Sequence, residues 1–234
     1  MDVVYLVKNC QINEELTYSM RSLVNLPHGK VFLVGGCPGN IDKGKGIHCP
    51  IIQRNNKFQN TQNGLKHICK DNRLSEDFIL MNDDFFILKP IKDPVAELNL
   101  CRGPIQEVLA ENRKRNGFDN EYTVSMAQTD IFLRNLGYNE PLSYELHIPM
   151  VINKKRFLAI FDLPNIESIR PGQHRSLYGN LYLTGSKVTK DVKVYHNGPK
   201  ELSTGKFLST EDNSWPFVKE HLSKLFHDKS PYEI

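Results

Sequence analysis

Apolar and polar positions change rhythm several times along the chain. "VVYLV" (Val3–Val7) is an uninterrupted apolar run, as a strand covered on both faces requires. Ile12, Leu16, Met20 and Leu23 then recur at helical spacing, with Glu14 and Glu15 where a first turn favours negative charge. "KVFLVGG" (Lys30–Gly36) predicts a second buried strand, stopped by the turn-rich "GGCPGN". "PIIQ" (Pro50–Gln53) predicts a short third strand, and a polar helix from about Phe58 to Lys70 leads to "DFILMNDD". This β-α-β-α-β order implies an α/β fold with a mostly parallel sheet and helices on both faces.

The second half is less regular. Glu107–Gly117 and Ser125–Gly137 predict helices that end on glycine. "SYELHIPMVINKKRFLAIF" passes from an extended segment into a helix near Asn153, and "IRPGQHRSLYGNLYL" is a loop feeding a short helix. "KVTKDVKVYHN" alternates like an edge strand, and "SWPFVKEHLSKLF" predicts a last helix capped by Ser214 with Pro216 in its first turn.

The predicted order places Asp83 and Asp84 at the carboxyl end of a central strand, where open α/β sheets bind ligands. Two adjacent carboxylates flanked by apolar runs must pair, hold a metal or face a cleft. Mg²⁺ and Mn²⁺ take such oxygens and bridge to phosphates, while a capped turn with one salt bridge needs no ligand at all. Lys8 and Asn9 end the first strand and share that crevice, and Asn82 precedes the carboxylates. His147 in "ELHIP" is a candidate base, and Arg170 and Arg175 flank a glycine loop suited to a phosphate. His196, a further candidate ligand, reads first as a surface residue, and Asp212 reads also as part of the turn before the last helix. "GGCPGN" has neither phosphate-loop nor dinucleotide spacing.

Bulk composition narrows the picture little. The 234 residues, 39% hydrophobic and 24% charged, suit one catalytic domain with a sizeable core, residues 1–92 forming one half and 93–234 the other. A net charge of +3 admits an anionic ligand without arguing for nucleic acid. Five cysteines without CxxC spacing fit a reducing compartment, and no apolar run is long enough for a membrane span. A cytoplasmic protein is the expectation.

Taken in order, four segments resemble the Stealth family of sugar-phosphate transferases. "MDVVYLV" with "EELTYSMRSL" is similar to the opening block, and "LSEDFILMNDDFFILKP" to the block with the NDD core. "ELHIPMVINKKRF" with "HRSLYGN" resembles the third block, and "KFLSTEDNSW" with "LFHDKSPYEI" the fourth. The acid of the family's first block is absent, with Lys8 and Asn9 nearby in its stead, and the glutamate of the helix before NDD falls near Asn63 or Leu65.

The resemblance implies a GT-A-like fold and a nucleotide-diphosphate sugar donor used with Mn²⁺ or Mg²⁺. It makes His147, Asp84 and Arg175 the catalytic set and Asp83, Asp84 and Asp212 the metal carboxylates. Lys8, Asn9, Arg21, Asn82 and Arg170 complete the donor contacts. The expected reaction moves sugar-1-phosphate to a hydroxyl acceptor, a polysaccharide foremost and a DNA base conceivably. Transfer of the sugar alone, and an inactive module that binds glycans or a partner, are the alternatives. The enzyme is expected to bring Asp84, His147 and Arg175 together on one cavity, and a remote face for His147 and Arg175, with no cavity joining them to Asp84, would exclude it.

Overall fold

The computed structural model describes residues 1–196, 202 and 205–234. In the first half, strands β1 (Asp2–Val7), β2 (Val31–Gly35), β3 (Ile47–Cys49), β4 (Asp77–Asn82) and β5 (Phe85–Ile87) alternate with helices α1 (Glu14–Ser22) and α2 (Lys57–Ile68). A single turn α3 (Pro94–Glu97) and the short strands β6 (Leu100–Cys101) and β7 (Gly103–Pro104) lead to helices α4 (Ile105–Asn116) and α5 (Glu121–Asn135). Then follow β8 (Leu142–Ser143), β9 (Met150–Asn153), α6 (Lys154–Ala159), α7 (His174–Tyr182), β10 (Lys187–Val188), β11 (Phe207–Ser209) and α8 (Trp215–Leu225).

The central sheet has the order β3-β2-β1-β4-β9, parallel throughout except for β9, which runs antiparallel to β4. The mainly parallel α/β architecture is the expected one. Its strands divide their side chains between two cores. Val4, Phe32, Phe78 and Leu80 face one cluster with residues of α2, α4, α5 and α7. Val3, Tyr5, Leu33, Ile79 and Met81 face the other, under α1. Both faces are therefore dry, which is why these strands read as continuous apolar runs rather than alternating ones. Each fully buried side chain of this size contributes about 1.5–3 kcal/mol.

Four local expectations are corrected. Ile12 precedes the cap of α1 and is 64% exposed, so the helix face begins at Leu16. The third strand is Ile47–Cys49, not Pro50–Gln53. Pro50 has no N–H to continue the ladder, and Ile52 points to solvent. Only Lys187–Val188 of the alternating "KVTKDVKVYHN" form a strand, paired with β6, and its last residue, Asn197, lies outside the described residues. Ser214 holds the N-cap position of α8 but makes no capping bond, because its oxygen accepts the N–H of Glu211 while its hydroxyl donates to the carbonyl of Val194.

Candidate active site

Strand β4 ends at Asn82, and Asp83 and Asp84 form the turn into β5. Three contacts fix this turn. Asn13, the N-cap of α1, accepts from the N–H of Leu16 at 2.9 Å and donates Nδ2 to Oδ2 of Asp83 at 2.7 Å. Farther along α1, Ser19 donates to the carbonyl of Phe85 at 2.5 Å, and Ser22 accepts the N–H of Ile87 at 3.1 Å. These serines explain "EELTYSMRS" in physical terms: they lock α1 onto β5. Opposite, β11 pairs antiparallel with β5, which brings Ser209 within 3.1 Å of Oδ2 of Asp84. Lys193 bridges to β11 at Ser209 and donates to the same oxygen at 3.0 Å.

The carboxyl ends of β1 and β4 lie side by side, Leu6 opposite Asn82, so Lys8 emerges beside the acidic turn. Gly35 and Gly36 permit this closeness. A Cβ on Gly36 would stand 2.4 Å from the carbonyl oxygen of Lys8, and Gly35 adopts a φ of +105°. A cavity of about 530 Å³ opens here, in the usual range for ligand sites. Its described lining includes the carboxylates Glu15, Asp83, Asp84, Glu211 and Asp212 against the cations Lys8, Lys57 and Lys193. The acid excess registers on its members. Burial raises Asp83, and the charge of Asp84 adds to it. Burial, then Asp83, Asp84 and Asp212, push Glu15 up to about 7.

A second cavity, of about 460 Å³, adjoins the first, and both are lined by Lys57 and Thr61. It contains His147, Arg175 and Asn82. Asp191 accepts from Nδ1 of His147 through Oδ2 at 2.8 Å and from its backbone N–H at 3.1 Å. Burial alone would raise the Asp191 carboxyl, but the hydrogen bonds and charge of His147 outweigh it and hold it at about 2. Arg102 stands 3.8 Å from the same carboxylate. With Nδ1 committed, Nε2 is the nitrogen left to the cavity, where it can take a proton. The ring of Phe85, the residue after Asp84, meets His147 edge-on at 6.2 Å and lies beneath the Arg175 guanidinium at 5.1 Å. His174 is pushed down to about 3 by burial and by the Arg175 charge, so it is neutral near pH 7.

The sequence-predicted residues thus separate into groups. Lys8, Asp83, Asp84 and Asp212 line the first cavity, and Asn82, His147 and Arg175 line the second. The two meet at the Asp84–Phe85 step rather than forming one chamber. Asn9 is exposed next to Lys8 and is tied by its N–H to Gln53. Arg21 lies elsewhere. It forks onto Glu233 at 2.6 and 2.9 Å and donates to the carbonyl of Phe226, which anchors the C-terminal segment. Arg170 lines a separate small cavity beside α7, with its N–H on Gln128. His196 is 85% exposed near Glu211. Asp191, Lys193 and Glu15 were missed by sequence reasoning. No spacing links Asp191 to His147 across 44 residues of chain, although an acid inside the edge-like segment was visible.

The acidic turn can be tested for fit to a divalent cation. Among the described residues no three metal-ligating side chains converge on one point. An all-protein cage is therefore not formed. Asp83 and Asp84 nonetheless line one cavity, and a largely hydrated Mg²⁺ or Mn²⁺ needs only one or two carboxylates plus substrate oxygens. The donor set fits that mode.

No family model and no curated protein matches the chain. Among solved structures, the galactosyltransferase LgtC in complex with donor and acceptor sugar analogues superposes with a TM-score of 0.47 at 10% identity, over 98% of this chain and 96% of that one. An active-site mutant of LgtC gives 0.47 at 10% identity, over 96% and 95%. The glycosyltransferase GlyE of Streptococcus pneumoniae TIGR4 gives 0.39 at 12% identity, over 81% of this chain and 45% of that one. Likeness at this level identifies neither a family nor a reaction. Among the described residues no helix is long and apolar enough to cross a membrane.

Proposed function

We propose that the protein transfers a sugar phosphate from a nucleotide-diphosphate sugar to an acceptor hydroxyl. The observation that carries this reading is the His147–Asp191 pair, which opens onto a cavity joined to the acidic turn through Phe85, Lys57 and Thr61. The four motif blocks that resemble sugar-phosphate transferases support it independently of the geometry.

In this reading the donor diphosphate lies at the junction, near Lys8 and Lys57, and the acceptor lies in the second cavity. His147 Nε2 takes the proton of the acceptor hydroxyl as its oxygen attacks the phosphorus that bears the sugar. The bond from that phosphorus to the bridging oxygen breaks, and nucleoside monophosphate departs with the electron pair. Asp191 orients the imidazole and stabilises its positive charge once protonated, as the acid of a catalytic triad does. Arg175, buried beside Phe85, places a fixed positive charge next to the reacting groups, and such preorganised electrostatics supply much of the catalysis of phosphoryl transfer. A divalent cation, when bound, would neutralise diphosphate oxygens, with Asp83 and Asp84 as its holders and Asp212 at the rim.

The test is a panel of nucleotide sugars presented with Mn²⁺, followed by identification of the nucleotide released. Monophosphate is the expected product. Diphosphate would mean that the sugar alone is moved, and a panel with no binding and no turnover would leave a binding module.

A further inference from the structure

The cavity beside the acidic one holds donors without acceptors. Asn112 on α4 is 2% exposed. Its Oδ1 accepts from Nη2 of Arg115 at 2.7 Å, but its Nδ2 has no hydrogen-bond partner. Arg175 is 4% exposed, commits Nη1 to the carbonyls of Leu146 and Ile148, and leaves Nη2 unpartnered. A buried donor left unpaired costs about 1–3 kcal/mol, more when charged, and both lie sealed behind the cavity wall, where solvent does not reach them. Both side chains line the second cavity with Lys57, Arg102 and Arg115, and Glu145 is its carboxylate among the described lining residues. Arg102 is already engaged with Glu111 at 3.2 Å and Asp191 at 3.8 Å. Arg115 is solvent-exposed, its guanidinium 4.8 Å from the ring of Tyr195, and with Nη2 on Asn112 it keeps further N–H groups for a ligand. Tyr122, stacked with Phe58, adds an aromatic surface at the base.

We propose that this cavity is the acceptor subsite and that it takes an anionic sugar, one whose ring carries a carboxylate or a phosphate to balance a wall in which Lys57, Arg102, Arg115 and Arg175 outnumber Glu145. The inference rests on the proposed function, since the placement of His147 is what makes the occupant an acceptor. The chemistry favours a glycan over nucleic acid. The site is a pocket of about 460 Å³ rather than an extended basic track, Arg113 on the same helix is paired with Asp119, and a net charge of +3 is small for binding a phosphate backbone. A sugar lacking the anion leaves this cationic wall without its counter-charge, which disfavours neutral analogues.

Calorimetric titration of the full chain with three disaccharides of one backbone tests this: one ending in a uronate, one phosphorylated on the same ring, and the uncharged parent. At least one anionic ligand binds about tenfold or more tightly than the parent, a difference of about 1.4 kcal/mol. Which arm binds tells carboxylate from phosphate. Arg115→Gln, which removes the charge and keeps a side-chain donor for Asn112, brings the preference to within about threefold. Equal binding of the parent, an unchanged preference in Arg115→Gln, displacement by a nucleoside diphosphate, or equally tight binding of a DNA duplex would each overturn the assignment. Binding needs no turnover. Failure of the sugar-phosphate reading therefore shows separately, as an anionic preference that survives without monophosphate release.

Discussion

Oδ2 of Asp191 lies 2.8 Å from Nδ1 of His147, a pairing that two distant segments make and that commits the imidazole to presenting Nε2. An amide at position 191 can hold the ring without favouring that tautomer. Asp191→Asn lowers kcat by about 10²–10⁴, the range for a mis-set catalytic histidine, while donor KM changes by less than about twofold. Steady-state kinetics on both substrates decide it. A rise in donor KM with kcat preserved would assign Asp191 to donor binding instead.

Glu145 gives the fold a pH dependence. Burial raises its carboxyl from 4.5 to about 7, against the opposing pull of Arg175 and of hydrogen bonds from Ser176. Between those values the folded state holds a proton that the unfolded chain has released, so stability falls as pH rises through that window. Glu15, raised to about 7, acts in the same sense. His174, lowered from 6.5 to about 3, opposes both between those values, and Asp71, Glu97 and Asp191, held near 2, oppose them only at lower pH. Urea unfolding at about pH 5 and about pH 7 shows a decline, and Glu145→Gln, which keeps the acceptor oxygen for Ser176, reduces it.

Asp84 has a structural task besides its proposed ionic one. It holds Lys193 and Ser209, so removing the carboxylate strands a largely buried ammonium. Asp84→Asn keeps an acceptor for both, and its cost stays at about 1–3 kcal/mol. The same change abolishes the added thermal stability that Mn²⁺ confers in the presence of a nucleotide diphosphate. Melting curves with and without the cation read this without any turnover. An unchanged cation effect in the variant would remove Asp84 from the metal set.

Arg21 is a fastener of the C-terminal segment. Its forked bonds reach Glu233, and both side chains are largely shielded from water, at 16% and 6% exposure. Arg21→Ala lowers unfolding stability by about 1–3 kcal/mol and leaves donor KM unaltered, as measured by denaturation and kinetics on one preparation. A selective rise in donor KM would return Arg21 to the donor site.

How much of this was legible depended on whether a signal was local. Val3–Val7 and Lys30–Gly36 announced doubly covered strands because both of their faces are dry, and the Asp83–Asp84 turn followed from the strand order. The helix ends at Gly117 and Gly137 were legible for the same local reason, each glycine adopting a positive φ. "PIIQ" misled because Ile51 packs on the core while Ile52 does not, a distinction that composition does not carry. "KVTKDVKVYHN" alternates, yet its neighbours offer a pairing edge only to Lys187–Val188 and a single bridge to Lys193. Arg21 sat in a motif that suggested a ligand, but its partner Glu233 lies 212 residues away, beyond what periodicity can reveal. The Asp191 and Lys193 contacts escaped for that reason too.

The most direct test of the central claim follows the phosphorus. A nucleotide sugar labelled at the sugar-bearing phosphate is incubated with the protein, Mn²⁺ and a hydroxyl acceptor. The account predicts that the label moves to the acceptor and that His147→Gln abolishes the movement. Label retained in a released nucleoside diphosphate, or transfer undiminished in His147→Gln, would contradict it.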